Sequence, residues 1–316
     1  MNILMSNISL VRPSGSEVWT YTVSKKLAEL GASVTIFTTD IGPFAEKFRH
    51  AVIVKDPPQG VWRIGQACSN EPFDFAILNH TTCVHACATV PVYGERIRVI
   101  HGTRPHEEQP ENRLCTKYVA VSPEVARYIE TTYGLVVDNI IYNPVNAKFF
   151  DISKPYRPPK TVLWACHKGG MQFPSVVAYE PITQHKMSML HYSSQDFPTE
   201  WMFEKADIVV GEARSIYQAI AAGRPVILSN GWTTCGVLTP EMYKKILDYN
   251  CTVRCPTFPA IPLNYNNFGQ QLDEAAKMPE EELAELKQLA EIHRVDHVVN
   301  ALLELAGAIS PTPPVG

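Results

Sequence analysis

The strand-like run Ile208-Val209-Val210 ends at Gly211, and Glu212-Ala213-Arg214-Ser215-Ile216 leads at once into a short helical pattern of small residues that stops at Gly223. A helix that begins at the carboxyl end of a strand presents unpaired backbone N–H groups and a partial positive charge. That is an anion site, and phosphate is the anion it most often serves. Arg214 would add a charge-assisted fork at the same point. The competing reading makes Arg214 a solvated helix-start residue and Ala219, Ala221 and Ala222 mere close packing, because strand–glycine–helix turns are common in α/β folds. Near the amino terminus, Ser14-Gly15-Ser16-Glu17 has the Ser-x-x-Glu spacing of a capping box and heads a second helix. His80, Cys83, His85 and Cys87 lie close enough for a metal test, but Cys-x-His-x-Cys is not a usual zinc spacing and no second pair follows it, so they read as packing residues. His106, Glu107 and Glu108 follow in a loop where they could meet a second substrate, but they read more readily as a solvated charge cluster.

The elements that must hold these residues alternate strand and helix. Residues 3–8 are apolar and β-branched. Val23, Leu27 and Leu30 recur at helical spacing before Gly31, and residues 32–38 form a second strand. This βαβ unit implies a parallel sheet. Further buried strands are expected at 51–54, 73–78, 97–100 and 118–121. A helix follows over 123–133, with proline in its first turn and Gly134 after its end. Asn143-Pro144 breaks the pattern and marks a domain boundary. The second half restarts with strands at 161–165, 186–191, 208–210 and 225–228, a helix over 215–222, and one long helix over 280–308. The expected domains are 1–146 and 147–290. A terminal helix within 291–308 returns to the first domain, and 309–316 forms a frayed tail. Two α/β domains joined by a hinge place a binding site at the carboxyl ends of the strands, in the cleft between them.

The chain's 316 residues suit two domains of similar size. The 28 Lys and Arg against 32 Asp and Glu leave a net charge of -4, which excludes a polycation held to nucleic acid or membrane by bulk charge. A local basic patch, and with it peripheral membrane or nucleic-acid contact, stays open. No apolar run approaches the ~18 residues of a membrane span. The first residues lack a basic n-region and read as a strand, not a signal peptide. The 8 cysteines form no close framework, which suits reduced thiols in a cytoplasmic protein.

Taken in order, the motifs resemble those of retaining glycosyltransferases of the GT-B fold, in the family-4 group related to glycogen and sucrose synthases. That group carries a strand ending in Asp-Val-Val-Val, then a loop and a helix of the form Glu-Ala-Met-Ala-x-Gly-x-Pro-Val. Here the counterparts are Ala206-Asp207-Ile208-Val209-Val210 and Gln218-Ala219-Ile220-Ala221-Ala222-Gly223-Arg224-Pro225-Val226. Ser14-Gly15-Ser16-Glu17 stands where the group has its Gly-Gly-x-Glu helix start. Val99-Ile100-His101-Gly102, residues 118–125 and Asn143-Pro144-Val145-Asn146 match in sequence order. The resemblance covers nearly the whole chain. It implies two Rossmann-like domains with parallel sheets facing across a cleft.

The resemblance also implies a reaction: transfer of a hexosyl or pentosyl unit from a nucleotide sugar to an acceptor, with retention at the anomeric carbon, no metal and no cofactor beyond the donor itself. The donor phosphates would be held by Lys168, with His167 near the family's arginine position, and by Gly211, Glu212, Arg214 and Ser215. Gly15 and Ser16 would approach the phosphate from the first helix. His101 would lie beside the transferred sugar; the bland alternative is a hydrogen-bonded strand-end histidine. His101, Lys168 and Arg214 are thus the catalytic candidates. Two departures stand out. The family's paired glutamates fall on Val210 and Gln218, with Glu212 out of register, and the short interval from Lys168 to Gln218 implies loss of one βα unit. Gln218 cannot titrate, so hydrogen bonding to a donor hydroxyl is the work open to it. The rival readings are an epimerase or hydrolase of the same fold and a non-catalytic nucleotide-sugar-binding relative. The acceptor is unwritten: a glycan, a lipid-linked glycan or a modified nucleic-acid base all fit.

Overall fold

The structure is a computed structural model that describes residues 1–55, 72–104, 106–110, 114–153, 159–166, 173–191 and 199–309. The chain divides into two compact units. One comprises 1–144 with 295–316, and the other comprises 145–294.

The first unit is built on a seven-stranded parallel sheet. Its strands are β1 (Asn2–Ser6), β3 (Ser33–Thr38), β5 (Val52–Lys55), β6 (Phe75–Asn79), β7 (Arg96–Ile100), β8 (Lys117–Ala120) and β9 (Asn139–Ile140). Their order is β5-β3-β1-β6-β7-β8-β9. The chain works outward from β1 to β5, then jumps back to β6 on the other side. The switch point therefore lies between β1 and β6, where Ser6 pairs with Leu78. Two short strands, β2 (Ser9–Leu10) and β4 (Asp40–Ile41), pair separately. Continuous apolar runs such as Ile3-Leu4-Met5 and Phe75-Ala76-Ile77-Leu78 are fully buried, as a sheet covered on both faces requires.

Helix α1 (Gly15–Glu29) follows β1 and ends at Gly31, whose φ of +86° suits glycine. The expected capping box does not form. The Ser14 hydroxyl donates to the Glu17 carboxylate, as does that of Ser16, and the Ser14 side chain accepts no backbone N–H. Helix α2 (Thr81–Cys87), which the periodicity does not announce, buries Cys83 and Cys87 and exposes His85, so the cysteines and the histidine face opposite ways. No group of three metal-ligating side chains occurs among the described residues. Helix α3 (Pro123–Tyr133) is capped by Ser122, which accepts from Val125 N, and closes at Gly134 in the left-handed region.

The second unit carries the strands β10 (Thr161–Trp164), β11 (Ser188–His191), β12 (Ile208–Gly211), β13 (Val226–Ser229), β14 (Thr233–Val237) and β15 (Ile261–Pro262), in the order β11-β10-β12-β13-β14-β15. The first four are parallel, and β14 and β15 run antiparallel. Its switch point is between β10 and β12, where Trp164 pairs with Val210. Only β11 lies outside β10 among the described residues, whereas β3 and β5 both lie outside β1. The helices of this unit are α4 (Ala147–Phe150), α5 (Phe173–Gln184), α6 (Glu200–Lys205), α7 (Arg214–Ala221), α8 (Pro240–Ile246), α9 (Tyr265–Ala276) and α10 (Glu280–Leu289).

The long helix expected over 280–308 is broken. Helix α10 passes into a 3-10 turn over Ala290–His293, Arg294 is extended at ψ 129°, and a new helix, α11, runs over Val295–Leu305. A long-range contact makes the break. Val145 N donates to His293 O at 2.6 Å and Val145 bridges Arg294, whose guanidinium sits 4.1 Å from the Phe150 ring. Helix α11 then belongs to the first unit, with Asp296 paired to Lys26 on α1. No helix among the described residues is long and apolar enough to cross a membrane.

Candidate functional site

Each unit gathers its polar chemistry at the carboxyl edge of its parallel sheet, at the switch point. In the first unit, β1 ends in Ser6 and Asn7 and β6 ends in Asn79 and His80. Ser6 Oγ donates to Asn79 O and accepts from Asn79 N, both at 3.1 Å. His101, just past β7, is half-buried beside them. Its Nε2 lies 3.1 Å from Asn79 Oδ1, and its backbone N donates to Glu108 Oε2 at 2.8 Å. The ring packs edge-on against Trp19, with centroids 5.3 Å apart, and near-parallel to His80 at 6.5 Å.

Glu108 corrects the reading of residues 106–108 as a solvated cluster. His106 is exposed, but Glu108 is only 5% exposed and reaches back to His101 and to within 3.6 Å of His80 Nε2. Burial pushes the Glu108 carboxyl up from its ordinary range, against the pull of Arg98 and the His101 amide. His80 is held down, to about 3, by burial and then by Arg98. It is therefore a neutral ring, and its Nδ1 accepts from Ile8 N at 3.2 Å. Arg98 is itself buried. It binds the carbonyls of Leu78, Val99 and Glu107 and so ties the ends of β6 and β7 to the 106–108 turn. His80 has φ +61°, a conformation rarely adopted outside glycine and a mark of over-determined local structure.

Gly15 heads α1 in an open position, where an added Cβ would meet nothing within 4 Å. Ser16 is half-buried and its hydroxyl is engaged by Glu17 at 3.1 Å.

In the second unit the turn expected to bind an anion is tightly built. Gly211 closes β12, and a Cβ there would lie 2.2 Å from Ser215 Oγ and 3.4 Å from Ala165 Cβ, so no larger residue fits without a shift. Ala213 precedes α7 at φ 53° and ψ -122°, a strained conformation for a residue with a Cβ. Its N–H is drawn backward to Cys251 O at 2.7 Å. Ser215 Oγ donates to Glu212 O at 2.9 Å, which leaves that hydroxyl only its acceptor capacity for a ligand. In the first turn of α7, Ile216 N already donates to Ala213 O at 3.0 Å, and the N–H groups of Arg214 and Ser215 precede any intrahelical acceptor. Glu212 on the loop and Arg214 at the start of α7 are half-buried. Glu212 adds to the burial that pushes the Cys166 and Cys235 thiols up, Cys235 to about 11. Both are thus protonated at neutral pH and unsuited to nucleophilic work. Gln218, one turn into α7, is 5% exposed, and its side-chain amide makes no hydrogen bond with a described residue. His167 and Lys168 lie outside the described residues.

The brace behind this loop has no local signature. The Leu247–Tyr249 turn ends in two left-handed residues, Asn250 at φ 54° and Cys251 at φ 48°. Tyr217 OH donates to Asn250 Oδ1 at 2.7 Å, and His293 stacks on Tyr217 with centroids 3.9 Å apart while bonding Tyr243 OH at 2.7 Å. Helix α7 is thereby locked to the segment that includes Val145 and His293.

No protein-family profile matches the chain, and no curated protein matches it in sequence. Solved structures do match along the whole chain. Anabaena HepE in complex with UDP and glucose is similar at TM-score 0.65 and 12% identity, over 98% of this chain and 100% of that one. An α-glucosyltransferase in complex with UDP and a 13-mer DNA containing an HMU base gives TM-score 0.59 and 9% identity, over 97% and 99%. WaaG, a glycosyltransferase of lipopolysaccharide biosynthesis, gives 0.58 and 11%, over 96% and 99%. The chain has the GT-B fold that these glycosyltransferases share.

Proposed function

We propose that the chain is a glycosyltransferase that moves a sugar from a nucleotide-sugar donor to an acceptor, with retention of anomeric configuration and without a metal. The observation that carries the reading is the Gly211–Ser215 turn, packed too tightly for a side chain at its glycine and opening onto α7 at the switch point of a sheet with the GT-B fold. Structures of that fold that hold UDP support it.

Breaking the bond between the anomeric carbon and the donor phosphate leaves negative charge on the phosphate. Donors already fixed in place stabilise that charge at no cost in reorganisation. The head of α7 and Arg214 supply them, with Lys168 added as the cation that the family resemblance implies, which is why the reading needs no metal. Gly211 lets the end of β12 pack against Ser215 at the head of α7. Gln218 offers an amide to a donor hydroxyl, and His101 of the first unit orients the sugar. Retention rests on the family resemblance of the 206–226 segment. The DNA-bound neighbour supports a modified base as one candidate acceptor.

Calorimetry with UDP and UDP-sugars tests the phosphate site. Arg214→Ala and Lys168→Ala are each expected to weaken nucleotide-diphosphate binding by about 1.5–3 kcal/mol, the range for a hydrogen bond to a charged group. Unchanged affinity in both variants overturns the assignment. Slow hydrolysis of the matching sugar donor by the wild-type chain is the accompanying expectation. Binding without any hydrolysis or transfer favours the non-catalytic relative.

A further inference from the structure

The hydrogen bonds behind His101 are fixed at both ends by backbone groups, and this determines which ring nitrogen carries its proton. Ser9 N can only donate, and it donates to the Asn7 side chain at 3.2 Å, so that atom is Asn7 Oδ1 and its Nδ2 faces Thr20. Ser16 O can only accept, and it takes the Thr20 hydroxyl proton at 2.9 Å. Thr20 Oγ1 has then spent its only proton. Its other two neighbours at 3.0 Å, on Asn7 and Asn79, must both donate to it. Asn79 therefore turns Nδ2 to Thr20 and Oδ1 to His101, and across the 3.1 Å contact His101 Nε2 must be the donor. Asn7, Thr20 and Asn79 are each 0% exposed, so water cannot supply alternative partners and a reversed orientation would strand buried polar atoms.

We propose that Asn79 is a positioning residue that commits His101 Nε2–H to the protein, so that any proton or hydrogen bond His101 exchanges with a ligand passes through Nδ1. The partner is an amide, not the carboxylate that stabilises imidazolium in a catalytic triad, so Asn79 fixes the ring without adding charge to it. Glu108 completes the fixation by holding the backbone of the same residue. The titratable and charged groups gathered at this corner are Glu17, His80, Arg98, Glu107 and Glu108. The inference rests on the reading of His101 as a sugar-side residue only for its functional consequence; the tautomer itself does not depend on it.

The test is nitrogen-15 NMR of the histidine side chains in the full chain, with His101→Gln identifying the His101 signals. The expected wild-type spectrum shows neutral His101 with a protonated Nε2 and a bare Nδ1. Asn79→Ala is expected to give a mixture of tautomers and at least a 10-fold loss of turnover, with UDP affinity unchanged within twofold. Asn79→Asp keeps Nε2–H and places a carboxylate on it, so His101 is expected to titrate at higher pH than in the wild type, with the acid limb of the rate profile moving the same way. A wild-type ring protonated on Nδ1 overturns the proposal, as does an Asn79→Ala variant with wild-type tautomer and turnover. Because the spectrum needs no donor, this failure is distinct from a failure of UDP to bind at Arg214.

Discussion

The two switch points solve different problems with different materials. The first is made of side chains. Asn7, Thr20, Asn79 and Glu108 are buried and hold His101 through directional hydrogen bonds, with His80 and Arg98 buried beside them. The second is made of backbone. Gly211 has no room for a Cβ, Ala213 sits at a positive φ, and the left-handed pair Asn250–Cys251 holds the loop from behind. A sugar presents hydroxyls in fixed directions, so its recognition needs side chains with defined donors and acceptors. A phosphate presents diffuse charge, and a helix end with close backbone approach meets it.

The contrast is sharpest in acid. His80 is neutral in the fold, with its pKa held at about 3 against an ordinary 6.5. The unfolded chain takes up the proton that the folded chain refuses, so the stability contributed by neutral His80 is present above pH 6.5 and is lost as pH falls toward 3. Glu108, with its pKa raised, works the other way, so the His80 term must be isolated by difference. Denaturant melts of wild type and His80→Gln are expected to show their stability difference changing by about 2 kcal/mol between pH 7 and pH 4.5. A pH-independent difference would place the His80 ring in water. The backbone-built site has a different weak point. Gly211→Ala forces a methyl group against Ser215 Oγ, and a loss of about 1–3 kcal/mol is expected from the overpacking. Removing that oxygen in Gly211→Ala with Ser215→Ala should recover most of it. No recovery would show that the remaining Ser215 Cβ contact and the Ala165 contact control the fit.

What was readable in the sequence divides along the same line. The ten expected strands, α3 with its proline and Gly134, and the Gly211-to-α7 turn depend on local propensity and apolar pattern, and the structure has them within a residue or two of their expected bounds, whereas β2, β4, β9, β14 and β15 were not expected. The side-chain site was not readable, because its bonds join residues far apart in the chain, such as Ser6 with Asn79 and Asn79 with His101. Glu108 looked solvated because nothing within a turn of it reports Arg98 and His80 beneath. The apolar stripe over 283–305 continues through Arg294 without a sign of the break, which Val145 imposes from 149 positions earlier. In place of the capping box, the Ser14 hydroxyl donates to the Glu17 side chain, a pairing that the same Ser-x-x-Glu spacing allows.

The smallest expected effect is the most specific to a backbone-built site. Ala213 pays for its conformation, with φ 53° and ψ -122° imposed by the Cys251 carbonyl and by the start of α7. Strain of this kind costs on the order of 1–3 kcal/mol, and glycine adopts the same angles without it. Glycine also gives the unfolded chain more freedom to lose on folding, which offsets about 0.4–1 kcal/mol. Ala213→Gly is therefore expected to leave stability unchanged or raised by about 1 kcal/mol, where glycine at an ordinary loop position would lower it. Its loop would be less restricted before ligand binds, and ordering it would then draw on binding free energy, so UDP affinity is expected to fall while the melting temperature holds or rises. A variant that melts lower and binds UDP as well as the wild type would mean that the alanine is relaxed where it stands and that the loop's shape is set by the ligand.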